Sequence, residues 1–174
     1  MGKFTFGLLL LSIIGIQSCG KDKNTKKFEI KIDKYFEIPP GLNTLDAYYF
    51  PIKDIYTNYD AIIKSLNLPA GTKVSLVPEA AWIRDPFTGA DLDFIDKATV
   101  FLYTNDKPDD RPESFYQDLI PLSVGSEIQL FPTTYEAQPF LSHSTINAEV
   151  RLQLRRNSVT SINVNLQMTF RGTY

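Results

Sequence analysis

The chain has 174 residues, with 18 lysines and arginines against 20 aspartates and glutamates and a formal net charge of −2. That length fits one domain able to bury most of its apolar surface, and the faintly acidic balance leaves no electrostatic footprint for nucleic acid. A single cysteine excludes an internal disulfide, and with a single histidine it leaves only carboxylates to build a zinc site.

Lys3 precedes an apolar run over 4–16 that leads into Ile16-Gln17-Ser18-Cys19, after which Gly20-Lys21-Asp22-Lys23-Asn24 turns abruptly polar. The run is too short for a comfortable membrane span of about 20 residues. It has the charge-then-apolar order of a secretory signal. Ile-Gln-Ser-Cys resembles the lipobox of bacterial lipoproteins, where an aliphatic and a small residue precede the modified cysteine; Gln17 departs from the small residue usual at its place. The resemblance implies cleavage before Cys19, a thioether-linked diacylglycerol on its sulfur, and usually a third acyl chain on the new amino terminus. Each buried CH₂ of such chains contributes about 0.8 kcal/mol, so two or three chains anchor firmly. The implied home is the outer membrane. Some Bacteroidota lipoproteins carry an acidic run after the cysteine that directs export to the cell surface; here Asp22 stands alone between Lys21 and Lys23, so periplasmic face and cell surface both stay open. The expected organisation is a leader over 1–18, the lipidated cysteine and a solvated tether over 19–27, and one domain over 28–174.

Phe28, Ile30 and Ile32 alternate with Glu29, Lys31 and Asp33, the period of a strand with one wet face. Ile55, Tyr59, Ile62 and Leu66 have helical spacing. Thr57 with Asp60 suggests a capping box, and Pro69 with Gly71 a stop, so the spacing predicts a short helix over 57–66. Val74-Ser75-Leu76 begins a strand that bends near Pro78; strands follow at 99–103 and at 128–130 before Pro132. The longest alternations come last. Ile146, Ala148, Val150, Leu152 and Leu154 share one face, with Asn147 among the polar residues of the wet face, and Ile162, Val164, Leu166, Met168 and Phe170 share another, with Asn163 and Asn165 on its wet side; this reads as an antiparallel hairpin across Arg156-Asn157-Ser158. All prolines lie between Pro39 and Pro139, so edges, bulges and long connections are expected in the middle of the chain. The fold class is all-β, an antiparallel β-sandwich of about seven strands with one short helix. Immunoglobulin-like and jelly-roll orders both fit, as does the sandwich typical of small envelope lipoproteins.

Chemistry is sparse. His143 sits between Ser142 and Ser144, but neighbours in a loop do not make a triad, and no Gly-x-Ser-x-Gly elbow is present. Asp85, Asp91 and Asp93 around Gly89, with Asp96 beyond, are the metal candidates, because calcium takes several oxygens on a tight loop. The spacing is not that of an EF-hand, and a solvated turn explains the same residues. Tyr48, Tyr49 and Phe50 place consecutive rings on opposite faces of an extended segment, so at least one is expected at the surface. Trp82 beside Arg84 reads first as sandwich core, with stacking on a ligand or partner as the alternative. The functional expectation is a lipid-anchored, non-catalytic interaction subunit of an envelope protein complex with no cofactor beyond its lipid. The alternative is a binding module for a glycan or an apolar small molecule.

Overall fold

Period-two spacing becomes eight strands in the computed structural model, which describes residues 25–174; the expected leader and lipidation site, Cys19, lie outside the described residues. In chain order these are β1 (Lys27–Ile38), β2 (Ala47–Tyr56), α1 (Tyr59–Ser65), β3 (Ser75–Arg84), β4 (Ile95–Tyr103), β5 (Glu113–Gln117), β6 (Glu127–Pro132), α2 (Gln138–Leu141), β7 (Thr145–Leu154) and β8 (Ile162–Thr173). Strands β1 to β4 pair with β8 to β5 in reverse order, as β1·β8, β2·β7, β3·β6 and β4·β5, all antiparallel. Rolling this long ribbon brings β3 beside β8 and β4 beside β7. The result is a β1-β8-β3-β6 sheet facing a β2-β7-β4-β5 sheet, joined by the short β5–β6 ladder. This strand order is that of a jelly roll, and it decides among the sandwich types that the sequence left open.

The expected terminal hairpin is not formed. β7 pairs with β2 and β4, β8 with β1 and β3, and residues 155–161 cross from one sheet to the other. Two strands with one buried face each can meet that need side by side or face to face across a core. Periodicity does not distinguish the two, and here the second arrangement wins. Ile30, Ile38, Leu76, Ile83, Leu166 and Phe170 of one sheet meet Val100, Leu102, Ala148, Val150 and Leu152 of the other, all fully buried. Phe115 and Phe170 pack edge to face at 5.5 Å, so side chains fill the space between the sheets. Each buried large apolar side chain there contributes about 1.5–3 kcal/mol.

Two residues expected on wet faces are buried instead. Asn147 accepts the Asp54 N–H at 3.0 Å and donates to Asn105 at 2.7 Å, holding the β2 bulge between Ile52 and Ile55. Asn165 donates to the Asp33 carboxylate across the β1–β8 ladder. The helix is shorter than the sequence implied. Asn58 stands before it at φ 55° without a side-chain cap, Ile55 belongs to β2, and the Thr57 hydroxyl donates to the His143 carbonyl at 2.7 Å, so no capping box forms. A second short helix, α2, escaped the sequence reading because four residues carry no period. The prolines fall where a missing donor is harmless: Pro51 on edge strand β2, Pro78 at the β3 bulge, Pro132 at the end of β6. Edge strand β1 turns Glu29, Lys31, Asp33 and Glu37 outward, which resists pairing with other strands.

Both ends of the described chain meet at one end of the sandwich, where Lys26 and Tyr174 exchange backbone hydrogen bonds of 3.0 and 3.1 Å. This near end also carries the connections 57–74, 104–112 and 133–144. The far end carries 39–46, 85–94, 118–126 and 155–161.

Candidate functional site

The four far-end connections each push a large apolar side chain into solvent. Leu45 is 88% exposed, Val159 85%, Leu119 76%, Leu122 72% and Phe87 66%. None of the three near-end connections carries an exposed large apolar side chain. Scattered surface leucines need no explanation, but five gathered at one end do.

Each tip is held by an inward neighbour. Asn43 Oδ1 accepts the Leu45 N–H at 2.8 Å and the Asp46 N–H at 3.3 Å, a local turn that turns Leu45 out. The buried Asp85 carboxylate accepts the Phe87, Thr88 and Ala90 N–H groups at 2.8–3.0 Å, and the Thr88 hydroxyl as well. Burial alone raises the Asp85 pKa, but these four donors outweigh it and hold the carboxyl at about 2. Ile120 is buried between Leu119 and Leu122, and its N–H donates to the Asp96 carbonyl at 3.0 Å. Ser158 is buried beside Val159; its hydroxyl donates to the Pro39 carbonyl at 2.8 Å and accepts the Leu42 N–H at 3.0 Å.

The loops are also joined to one another. Gly41 N–H donates to the Ser158 carbonyl, Leu92 N–H to the Gly125 carbonyl, Asp85 N–H to the Ser126 carbonyl and Arg155 N–H to the Phe94 carbonyl, all at 2.8–2.9 Å. Arg155 pairs with Asp96 at 3.1 Å, and Arg156 pairs with Asp93. Between the 85–94 and 155–161 loops lies a hollow of about 600 Å³, lined by Ala90, Asp91, Phe94, Ser158, Val159 and Ile162. With both arginines paired and Asp85 buried within its own loop, the exposed loop charges without an ionic partner among the described residues are Asp46, Asp91 and Asp118. The far end is therefore a rigid platform with apolar tips and an acidic rim.

No family model matches the chain. No curated protein matches it either. Among solved structures it is similar to the decameric BFDV capsid protein, at 11% identity over 86% of this chain and 99% of that one, with a TM-score of 0.37. It is also similar to the virus-like particle of the extra small virus of the giant freshwater prawn Macrobrachium rosenbergii, at 11% identity over 99% of this chain and 94% of that one, with a TM-score of 0.25. Likeness this faint carries no argument about function.

The residues singled out from sequence divide. Tyr48 and Phe50 face inward, opposite Leu152 and Val150 of β7; the Tyr48 hydroxyl accepts the Asn43 N–H at 2.8 Å, and Phe50 packs on Phe36 at 5.4 Å. Tyr49 alone of the three is exposed. Trp82 is not core: it lies half-buried on the outer face, between inward Ala81 and Ile83, with the Arg84 guanidinium 5.1 Å from its ring centre. Asp85, Asp91 and Asp93 do not converge, and among the described residues no three metal-ligating side chains gather. Asp85 spends its oxygens on its own loop, Asp91 caps the Asp93 N–H at 3.0 Å, and Asp93 holds Arg156. His143 Nε2 lies 3.8 Å from Asp106, while the Ser142 hydroxyl turns to the Pro139 carbonyl. The apolar tips escaped the sequence reading, since Leu45, Leu119, Leu122 and Val159 look like core residues until the topology gathers their loops.

Proposed function

We propose that this chain is a lipid-anchored, non-catalytic subunit of the bacterial outer membrane that docks on another envelope protein through its far end. The observation that carries the reading is the cross-linked platform of Leu45, Phe87, Leu119, Leu122 and Val159. Fixed apolar anchors bind with little loss of conformational entropy, and a rigid frame lowers the cost of ordering further. The lipobox-like Ile16-Gln17-Ser18-Cys19 supports the anchor.

Tether length selects the partner. From Cys19 to Lys26 the chain reaches at most about 25 Å, whereas β1 alone extends about 36 Å toward the far end. A domain held by its near end cannot stand with all these tips head-on in the bilayer that holds its lipid. A protein with an apolar socket and a basic rim fits both the tips and Asp46, Asp91 and Asp118.

A photo-crosslinking residue placed at Leu122 and, separately, at Lys64 of α1 tests the reading in native membranes. Capture of one defined protein from Leu122, with none from Lys64, is expected. Detergent-phase partitioning and mass spectrometry of the amino-terminal peptide should find diacylglycerol on Cys19. Equal capture from both ends, or unmodified Cys19 in a mature membrane-bound chain, would overturn it.

A further inference from the structure

The outer face of the β1-β8-β3-β6 sheet carries a second feature, remote from the far-end tips in chemistry. The register sets its side chains in rows: Tyr35–Asn165–Arg84, then Asp33–Gln167–Trp82, then Lys31–Thr169–Ala80. The third row has two short side chains, Thr169 at its centre and Ala80 on β3. With the longer Lys31, Asp33, Trp82 and Arg84 standing around them, a groove of about 430 Å³ opens over β8.

Its polar groups are held in place. Arg84 Nη1 donates to Gln167 Oε1 at 2.6 Å, and Gln167 Nε2 donates to Asp33 Oδ2 at 3.1 Å. The buried Asn165 donates to the other Asp33 oxygen. A carboxylate, a carboxamide and a guanidinium thus form one bonded row, with an indole beside it. The cations already have counter-ions: Lys31 lies 3.0 Å from Glu29, and Arg84 Nε lies 2.6 Å from Glu127. An anionic ligand would have to displace these carboxylates, and a cation would find a single carboxylate, Asp33, in a groove also lined by the cations Lys31 and Arg84. An extended peptide has no free ladder here, because β8 is paired on both sides. What remains matched is a neutral ligand rich in hydroxyls, with an apolar face for the indole and donor–acceptor pairs for the planar groups.

We infer that this groove binds a neutral glycan, with Trp82 under the C–H face of one sugar and Asp33, Gln167 and Arg84 taking its hydroxyls. The inference stands apart from docking at the far end.

Trp82 is the only tryptophan in the chain, so its emission reports on the groove alone. The full chain in detergent would be titrated with dextran, laminarin and mannan oligosaccharides, and with polygalacturonate as an anionic probe. A saturable change in emission with at least one neutral sugar is expected. Asp33→Ala should weaken it at least tenfold, and Leu122→Ser at the far end should leave it unchanged. Where Asp33→Ala lowers the Tm, Thr169→Tyr, which fills the groove from its floor, replaces it and should abolish binding. No response to any neutral sugar, a response to polygalacturonate alone, or unchanged affinity in Thr169→Tyr would each overturn the inference.

Discussion

Replacing Asp85 by alanine tests how the far-end frame is held. Asp85 is 5% exposed, and its carboxylate accepts hydrogen bonds from three backbone N–H groups and the Thr88 hydroxyl. Bonds to a charged acceptor contribute about 1.5–3 kcal/mol each. Phe87 and Thr88 are exposed, so their donors regain water when the carboxylate is lost. The total cost therefore falls to about 2–3 kcal/mol, or about 4–12 °C in Tm for a domain of this size. The effect carries a pH signature. The folded-state pKa lies near 2, below the ordinary 3.8, so the ionised carboxylate stabilises the fold above the unfolded value and that contribution fades as pH drops from 3.8 toward 2. A shift of this size corresponds to about 2 kcal/mol. Urea melts of the parent chain and Asp85→Ala from pH 7 to pH 2 should show a constant gap down to about pH 5 that narrows by about 2 kcal/mol at the acid end. Asp85→Asn should lose the pH dependence while keeping part of the stability. A gap that does not change with pH would refute the view that the ionised carboxylate holds the loop.

Val164→Ala or Leu166→Ala on the inward face of β8 should each cost about 2–5 kcal/mol in urea melts. On the outward face, Asn163→Ala should stay within about 0.5 kcal/mol. Asn165→Ala should cost about 0.5–1.5 kcal/mol, because it removes the hydrogen bond from the buried amide to Asp33, whose exposed carboxylate then turns to water; equal costs on both faces would contradict the one-sided sheet. Gly172 lies under the Phe28 ring, and an added Cβ would overlap that ring, so Gly172→Ala should cost about 1–3 kcal/mol. The double variant Gly172→Ala with Phe28→Ala should lose less than the sum of the two single changes.

Much of the fold was legible because period-two spacing reports which face of a strand is dry, and Ile162 to Phe170 kept that period without interruption. Pro78 marked its bulge through the missing donor, and the edges and bulges expected between Pro39 and Pro139 include edge strand β2, which carries Pro51. Partner choice was not legible. Whether β7 lies beside β8 or across the core depends on β2, β4, β1 and β3, which are distant in sequence. Asn147 and Asn165 were misplaced because a polar residue can be buried once a bulge or a cross-strand carboxylate satisfies it, and neither partner is near in the chain. Trp82 was readable in part: inward Ala81 and Ile83 send it outward, a local signal stronger than the general tendency of tryptophan toward the core. The far-end platform had no sequence signature, since each tip is a single apolar residue and only the roll of the sheets collects them.

The most direct test of the docking claim is co-purification with the full chain, extracted from native membranes in detergent, after Leu45, Phe87, Leu119, Leu122 and Val159 are changed together to serine. These side chains are exposed, so the Tm should stay within about 2 °C of the parent. The envelope protein captured through Leu122 should then be lost from the detergent extract, while the chain itself stays in the membrane fraction. Retention of that partner at full yield by the stable five-serine variant would contradict the account.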